Sequence, residues 1–334
     1  MCLPVSFEIT GGDKLRPYIF MRIVFMGTPE SAVPSLRRLV DDGHEIAAVW
    51  TQPDKPSGRG KKLQQSPVKA FALEHNLTIH QPQKIRNDDA NQLFASHNAD
   101  VAVVVAYGKI LPQEFLEAPR QGCLNVHFSL LPKYRGAAPV NWSIVNGEEL
   151  TGVTTMRIVA RLDAGPILLQ EATRIIDGET ATELMMRLSD MGAKLISETV
   201  NNLDNIEPKP QDDSEASFAP ILKREDGLID WSFDAFEIER RVRGFQPWPN
   251  AYTSFGSLRL IIWSAVPEWI EQLQFPFGQV IEATRDRLVV ACGNGTALRV
   301  LEIQPQDSRR MSARDFINGN HILPGTKFGL DVKS

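Results

Sequence analysis

The sequence has few of the residues that form disulfides or bind metals. Its 334 residues include 3 cysteines, Cys2, Cys123 and Cys292, which offer neither an even set nor a Cys-x-x-Cys pair. The 6 histidines form no His-x-x-x-His or His-Glu-x-x-His group. The sequence therefore predicts a protein of a reducing compartment, with no disulfide framework and no bound metal.

Long apolar runs are also missing. Val101–Ala106 is among the longest, and it falls far short of the roughly 18 residues that a membrane-spanning helix needs. Residues 1–20 lack the apolar centre of a secretory leader and the composition of a transit peptide. We expect a cytoplasmic protein without membrane contact, in which residues 1–20 are a disordered extension ahead of a candidate start at Met21.

The chain carries no excess of positive charge. Its net charge is -5, so we do not expect polyanions to bind over the whole surface. A local basic patch is compatible with this charge. One segment, Asp54–Leu63, concentrates cations against a single acid: Lys55, Arg59, Lys61 and Lys62. Taken alone, a segment of this kind is more often a solvated connection than a binding site.

The order of apolar runs indicates an α/β domain over residues 21–204. Ile23–Met26, Ile46–Trp50 and Val101–Ala106 read as buried strands, and helical patterns such as Ser31–Asp42 separate them. This alternation predicts a Rossmann-like, doubly wound parallel sheet with its site at the carboxyl ends of the strands. The Gly-x-Gly-x-x-Gly spacing of dinucleotide-binding proteins is absent, so a nicotinamide cofactor is not expected.

A second domain is expected after residue 220. Residues 205–220 contain three prolines among polar residues, which predicts an extended surface linker. Beyond it, short strands such as Leu258–Trp263 and Ala297–Ile303 alternate with turn signals, and Ser312–Asn318 reads as a capped helix that stops at Gly319. Residues 221–330 are therefore predicted to form a small β-barrel.

The densest signal for chemistry lies at the end of a predicted strand. Side chains alternate along a strand, so Asn125 and His127 point to the same side and present an amide and an imidazole to one spot. Asp163, in a Leu-Asp-Ala-Gly-Pro loop, adds a carboxylate. A lone histidine is commonly just hydrogen-bonded into a structure, so position alone leaves a catalytic and a structural role evenly balanced.

These residues resemble the active-site signature of the folate-dependent formyltransferases. The resemblance rests on Asn125, His127, the Ser-Leu-Leu-Pro run at 129–132, and Leu-Asp at 162–163 with a glycine at 165. Arg-Gly-Ala-Ala-Pro at 135–139, Gly-Thr-Pro at 27–29 and the basic segment resemble the branch of that family that acts on tRNA. The similarity covers about residues 21–329, including Arg-Gly-Phe at 243–245.

The resemblance implies both substrates and a set of site residues. The formyl donor would be 10-formyltetrahydrofolate, and the acceptor would be the α-amino group of methionine on initiator tRNA. Asn125, His127 and Asp163 would be catalytic. The residues implied at the folate are Ser129, Leu130, Leu131, Pro132, Tyr107, Gly108 and Ile110. Those implied at tRNA are Lys55, Arg59, Lys61, Lys62, Arg241 and Arg243, with Arg240 beside them, and the barrel would be OB-like and assist tRNA binding.

Two departures from the family pattern and three alternatives accompany this interpretation. Phe128 stands where a small residue is usual, and Arg161 stands where glycine is frequent, so we expect the ring to narrow the folate pocket and the guanidinium to lower the pKa of Asp163. The alternatives are a formyltransferase acting on glycinamide ribonucleotide, one acting on an amino sugar, and a noncatalytic protein that binds tRNA or folate. The oligomeric state is left open, with a monomer favoured.

Overall fold

The computed structural model describes residues 20–57, 62–270 and 275–329. Residues 1–19, most of the predicted disordered extension, lie outside this range, as do Arg59 and Lys61 of the basic segment. The strands are β1 (Arg22–Gly27), β2 (Glu45–Trp50), β3 (Lys55–Ser57), β4 (Lys62–Gln64), β5 (Ile79–His80), β6 (Val101–Val105), β7 (Cys123–His127), β8 (Arg135–Gly136), β9 (Leu150–Arg157), β10 (Ile167–Arg174), β11 (Phe218–Ala219), β12 (Ala251–Phe255), β13 (Leu258–Trp269), β14 (Val280–Thr284), β15 (Arg287–Ala291), β16 (Thr296–Pro305) and β17 (Met311–Ser312).

The helices fall between these strands. They are α1 (Val33–Asp41), α2 (Pro67–Glu74), α3 (Asp88–Ser96), α4 (Gln113–Glu117), α5 (Pro139–Val145), α6 (Ala181–Asn201), α7 (Ala235–Gly244) and α8 (Ala313–Asn320). Short 3₁₀ turns occur at Glu30–Ala32, Leu203–Asn205, Asp213–Glu215 and Arg224–Gly227.

The first sheet has seven strands in the order β10-β9-β7-β6-β1-β2-β5. The five strands β7, β6, β1, β2 and β5 are parallel, which confirms the Rossmann-like prediction for most of the sheet. The prediction is wrong for β9 and β10, which pair antiparallel. Only residues 158–166 join these two strands, and a parallel pairing needs a crossover of a dozen or more residues.

Helices cover both faces of this sheet and bury its side chains. The long helix α6 packs beneath β7 and β9 with α1 beside it, in a core that contains Val126, Val153 and Leu188. On the other face Trp50 lies edge-on to Phe94 and Phe115. Burial on both faces explains why the strand sequences are continuously apolar rather than alternating.

Local helix signals were informative. Ser66 caps α2 by accepting a hydrogen bond from the amide of Lys69 at 3.1 Å, as the Ser-Pro pair predicts. Ser312 caps α8 in the same way, through the amide of Asp315. The predicted stop at Gly319 is wrong, because α8 runs to Asn320 and the left-handed residue that ends it is His321.

The second sheet is antiparallel, with strands in the order β12-β13-β16-β15-β14 and β17 paired to β16. Helices α7 and α8 pack on it around a core that contains Trp231, Phe316 and Phe328. This agrees with the predicted β texture of the C-terminal part of the chain. Helix α7 also packs against α5 of the first part, where Asn141 Nδ2 donates to the carbonyl of Gly244 at 2.7 Å.

The segment predicted as a surface linker is anchored to the first sheet. Lys209 forms two backbone hydrogen bonds with Ile167 at the start of β10, both 2.8 Å long. Further along, β11 pairs in parallel with β8. The segment 206–217 before β11, here called the connector, therefore lies across the loops that follow β7 and β9.

Candidate active site

Strand β7 places Asn125 and His127 on one side of the sheet, at its carboxyl end. His127 is 5% exposed, whereas Asn125 is half-buried. Within the part of the chain that the structure describes, no protein group hydrogen-bonds to the Asn125 side-chain amide. A neutral donor beside a buried imidazole is therefore available to a bound molecule.

Ser129 fixes the orientation of the His127 ring. The Ser129 hydroxyl donates to the carbonyl of Lys133 at 2.7 Å, so it has only lone pairs to offer to His127 Nδ1, which lies 3.0 Å away. Nδ1 must therefore carry a proton and donate it to Ser129. Nε2 is left as the ring nitrogen that faces away from Ser129.

That nitrogen faces Asp163. The distance from His127 Nε2 to Asp163 Oδ2 is 3.3 Å, which is longer than the roughly 2.7–2.9 Å of a tight charge-assisted hydrogen bond. The same carboxylate oxygen accepts a hydrogen bond from the amide of Gly136 at 2.8 Å. Burial alone would raise the pKa of Asp163, but the contacts with His127 and the Gly136 amide, together with the charge of Arg135, hold that pKa below its ordinary value.

The backbone at Asp163 and at Gly136, its amide donor, adopts unusual conformations in a closely packed region. Asp163 is left-handed at φ 46°, and Gly136 has φ 124°. A Cβ atom on Gly136 would lie 2.5 Å from the carbonyl oxygen of Ala219, so only glycine fits where β8 runs beside β11.

A buried arginine lies next to this contact. Arg135 is 1% exposed, donates to Gln211 Oε1 from Nε and Nη2 at 2.9 and 2.8 Å, and pairs with Asp213 at 2.8 Å. Arg161 also pairs with Asp213, and its side chain is 61% exposed. The expectation that Arg161 lowers the pKa of Asp163 is therefore wrong, because its charge is directed to Asp213 and the nearby cations are His127 and Arg135.

The Ser-Leu-Leu-Pro run forms a rigid turn over β9. Thr154 Oγ1 donates to the carbonyl of Ser129 at 2.7 Å and accepts from the amide of Leu131 at 3.2 Å. Leu131 is buried against Met156 and Ile167, whereas Leu130 and Pro132 remain half-buried. The run therefore supports the catalytic strand, and Leu130 and Pro132 are its accessible side chains.

The segment after β6 contributes an apolar edge. Ile110 is 67% exposed, and Gly108 has φ 81°. A cavity of about 520 Å³ lies beside Ile110, with Leu111, Arg86 and Ala160 of the Asp163 loop in its wall. The cavity volume is within the range of small-molecule sites.

Tyr107 departs from the predicted arrangement. Its side chain is 1% exposed and belongs to the core on the Trp50 face of the sheet, and burial raises its pKa to about 12. Only its backbone faces the site, where the carbonyl accepts hydrogen bonds from Thr28 Oγ1 and Gln52 Nε2. The ring is therefore buried within the protein, and a contact of Tyr107 with folate stays a prediction that its backbone alone could meet without a rearrangement.

The sequence comparisons agree with this geometry. The chain matches the formyl transferase family over residues 21–200 and the formyl transferase C-terminal domain family over residues 221–321. It belongs to the formyltransferase family.

Relatives extend over nearly the whole length. Methionyl-tRNA formyltransferase of Caldanaerobacter subterraneus subsp. tengcongensis is 47% identical over 310 residues, covering 92% of this chain and 99% of the relative. That of Solibacter usitatus is 48% identical over 311 residues, covering 92% and 99%. Among solved structures, HypX from Aquifex aeolicus in complex with tetrahydrofolic acid superposes with a TM-score of 0.61 at 18% identity, over 90% of this chain and 47% of HypX. At that identity the likeness shows the fold alone.

The basic segment of this formyltransferase is a hairpin. Strands β3 and β4 pair antiparallel, with Lys55 opposite Gln64 and Ser57 opposite Lys62. Lys55 is exposed, and the side chain of Lys62 lies outside the described residues together with Arg59 and Lys61. Asp54, just before the hairpin, accepts from Gln81 and Lys69, and these two contacts lower its pKa. Asp54, which lies between β2 and the hairpin, is therefore held in place by two side chains.

The arginines of α7 are engaged within the protein. Arg241 pairs with Glu237 at 3.0 Å, and Arg243 pairs with Glu239 at 2.5 Å while donating to the carbonyl of Glu179. Arg240 Nε donates to the carbonyl of Val145 at 3.3 Å. The three guanidinium groups thus bond to α7 itself, to α5 or to the loop before α6.

Phe128 does not lie where it was expected. It points away from His127 into the core, where it packs near Gly192 of α6 and is 6% exposed. The expectation that its ring narrows the folate pocket is wrong, because strand alternation directs residues 126 and 128 to the opposite face from residues 125 and 127. The Phe128 ring therefore does not enter the site.

Sequence reasoning missed two further polar residues beside the site. Thr154 lies opposite His127 on β9, and Gln211 lies on the connector. The register of β9 against β7 would have pointed to Thr154, but only the folded chain brings Gln211 close.

Among the described residues, no group of three or more potential metal ligands occurs, and no helix has the length and apolar character of a membrane span.

Proposed function

We propose that this formyltransferase transfers the formyl group of 10-formyltetrahydrofolate to the α-amino group of methionine on initiator tRNA. We infer the acceptor from the 47% identity of this chain to a methionyl-tRNA formyltransferase over 92% of its length. The contact of His127 with Asp163, beside a free Asn125 amide, supports acyl transfer at this edge of the sheet.

The chain needs no nucleophile of its own for this reaction. An α-amino group has a pKa of about 7.7–8.0, so roughly a tenth to a sixth of the acceptor is neutral at pH 7. The amine attacks the formyl carbon, and the carbonyl oxygen becomes an oxyanion. The bond to the folate nitrogen then breaks, its electron pair stays on that nitrogen, and one proton passes from the amine to it. The protein holds the reactants together and stabilises the oxyanion.

Asn125, His127 and Asp163 divide this task in our proposal. Asn125 donates its free amide to the oxyanion, a contact typically worth about 3 kcal/mol in the transition state. His127 offers Nε2–H, which the 3.3 Å contact with Asp163 holds only loosely. Asp163, whose pKa is held below its ordinary value, stays ionised beside His127 and orients the ring.

The residues around this cluster fit a tetrahydrofolate-type molecule. Its ring system needs an apolar surface, which Ile110, Leu111, Leu130 and Pro132 provide. Its glutamate tail carries carboxylates, and Arg86 in the cavity wall is a cation for them. The Oδ1 atom of Asn91, also in that wall, is buried without a hydrogen-bond partner among the described residues.

We assign tRNA contact to the basic hairpin and an assisting role to the C-terminal domain. The Lys55 side chain is exposed at the base of the hairpin, beyond the carboxyl end of β2, and Arg59, Lys61 and Lys62 are its other candidate cations. Arg241 and Arg243 are weaker candidates because both are already paired. In this proposal residues 21–204 carry out formyl transfer and residues 221–330 help to bind the tRNA. We place this reaction in the cytoplasm.

The deciding experiment is a formyl-transfer assay with parallel acceptors. The protein is incubated with 10-formyltetrahydrofolate and methionyl-initiator-tRNA, glycinamide ribonucleotide or an aminoarabinose nucleotide, with uncharged tRNA as the blank. Formylation of the charged initiator tRNA alone is expected. Formylation of another acceptor would keep the chemistry of the site but refute the acceptor, and no transfer to any acceptor would refute the proposal.

A further inference from the structure

The connector between the two domains contributes a side chain to the catalytic loop. Gln211 lies between two backbone anchors, the Lys209 bridge to Ile167 and the pairing of β11 with β8. Between these anchors the chain has little freedom to move away from the site. The position of Gln211 is therefore set from both sides.

Every hydrogen-bonding position of the Gln211 amide is used. Nε2 donates to the carbonyl of Asp163 at 2.8 Å and to the carbonyl of Gly165 at 2.7 Å. Oε1 accepts from Arg135 Nε and Nη2. The reversed amide would place oxygen against two carbonyls and N–H groups against a guanidinium, so these partners also fix which way it points.

These contacts reach the Asp163 carboxylate by two routes. One is direct, because Gln211 holds the backbone of Asp163 itself, in a left-handed conformation that side-chain-bearing residues seldom adopt. The other runs through Arg135, since the amide that donates to Asp163 belongs to the next residue, Gly136. A single side chain thus ties the carboxylate to its amide donor.

We propose that Gln211 is a positioning residue that holds Asp163 against His127 Nε2. It touches neither substrate, and it acts only through the loop that carries the carboxylate. The inference deepens the proposed formyl transfer and rests on it for its kinetic readout.

The test is Gln211→Glu, which keeps the shape of the side chain and an acceptor for Arg135 but replaces both N–H donors by an oxygen. The Asp163 loop then loses its two hydrogen bonds and meets a repulsive charge. We expect kcat for formyl transfer to fall by about ten- to a hundred-fold, because small misplacements of reacting groups have effects of that order. The KM values for both substrates are expected to stay within about two-fold, since Gln211 contacts neither.

Gln246→Glu is the matched control. Gln246 Nε2 also donates to two backbone carbonyls, those of Val242 at 3.0 Å and Trp263 at 2.9 Å, but it lies at the end of α7 and contacts no residue of the catalytic cluster. This variant should lose stability by the same mechanism while its kcat stays unchanged. Gln211→Met, which removes both sets of contacts, should be at least as slow as Gln211→Glu.

A readout that needs no activity separates this inference from the proposed function. The ¹⁵N shifts of the His127 ring, followed against pH, report whether Asp163 still faces Nε2. They should change in Gln211→Glu and not in Gln246→Glu. A kcat within about two-fold of the wild type, or unchanged ring shifts, overturns the positioning role. An inactive wild type with changed ring shifts in Gln211→Glu would instead refute the proposed function alone.

Discussion

The Ser129→Ala substitution tests whether the fixed orientation of His127 matters. Ser129 is 1% exposed, and its hydroxyl is the partner of both His127 Nδ1 and the Lys133 carbonyl. Removing it leaves the buried His127 N–H unpaired at a cost of about 1–3 kcal/mol, and the Lys133 carbonyl loses its side-chain donor. We expect the free energy of unfolding to fall by about 2 kcal/mol.

The same substitution should slow the reaction. Without the Ser129 acceptor the His127 ring is free to rotate, so Nε2 no longer faces the reacting formyl group in every molecule, and small misplacements of this kind have large effects on rate. We expect kcat to fall about ten- to a hundred-fold with little change in either KM.

Urea unfolding and steady-state formyl transfer, both at pH 7, measure the two effects. Ser189→Ala is the control, because the Ser189 hydroxyl is buried and donates only to the Met185 carbonyl of its own helix. If Ser129→Ala loses no more stability than Ser189→Ala and retains kcat within two-fold, the argument for a fixed ring orientation is refuted.

Four further predictions concern the oxyanion donor, the carboxylate and the two substrates. Asn125→Ala should lower kcat by about 10²–10³-fold in steady-state assays while folate binding, followed by fluorescence, stays unchanged. Asp163→Asn should be less stable than the wild type at pH 7. Because the folded pKa of Asp163 is lowered, urea melts should show this difference shrinking as the pH falls below the unfolded value of about 3.9 and through the folded value. Replacing Lys55 and Lys62 by Ala should flatten the dependence of log tRNA affinity on log salt by about 0.7–0.9 for each phosphate that these lysines neutralise. Arg86→Ala should raise KM for the folate by about ten-fold with kcat retained, because it removes a cation from the cavity wall.

Control substitutions for three of these predictions are made at exposed residues away from the site. Asp177→Asn should leave the free energy of unfolding at pH 7 as in the wild type, Lys194→Ala should leave the salt slope unchanged, and Arg309→Ala should leave the folate KM unchanged. An equal effect in any control and its test variant would mean that the assigned contact is not responsible.

The sequence was most informative where a structural cause is local. The cap at Ser66 depends on residues three positions apart, and the shared direction of Asn125 and His127 follows from the geometry of one strand. The direction of Tyr107 was not accessible in this way. Ala106 adopts a left-handed conformation at φ 48°, which breaks the alternation just after β6 and turns the ring into the core.

Contacts between distant parts of the chain account for the remaining errors. Arg135 and Gln211 are 76 residues apart, so no local pattern links them. The same holds for Arg161, which could be assigned to Asp163 by proximity in sequence but pairs with Asp213 across 52 residues. Packing decides between such partners, and the sequence alone contains no measure of it.

The connector shows how one composition supports two interpretations. Pro208 and Pro210 suggest a linker, because proline interrupts helices and sheets. The same two residues lie on either side of Lys209, the residue that pairs with the edge strand β10. Lys209 uses both its N–H and its C=O on Ile167, so the backbone N positions of its two neighbours point away from β10, where a proline loses no hydrogen bond to that strand. The prolines that suggest a passive linker are thus compatible with the backbone bridge that precedes Gln211 and its contacts with the catalytic loop.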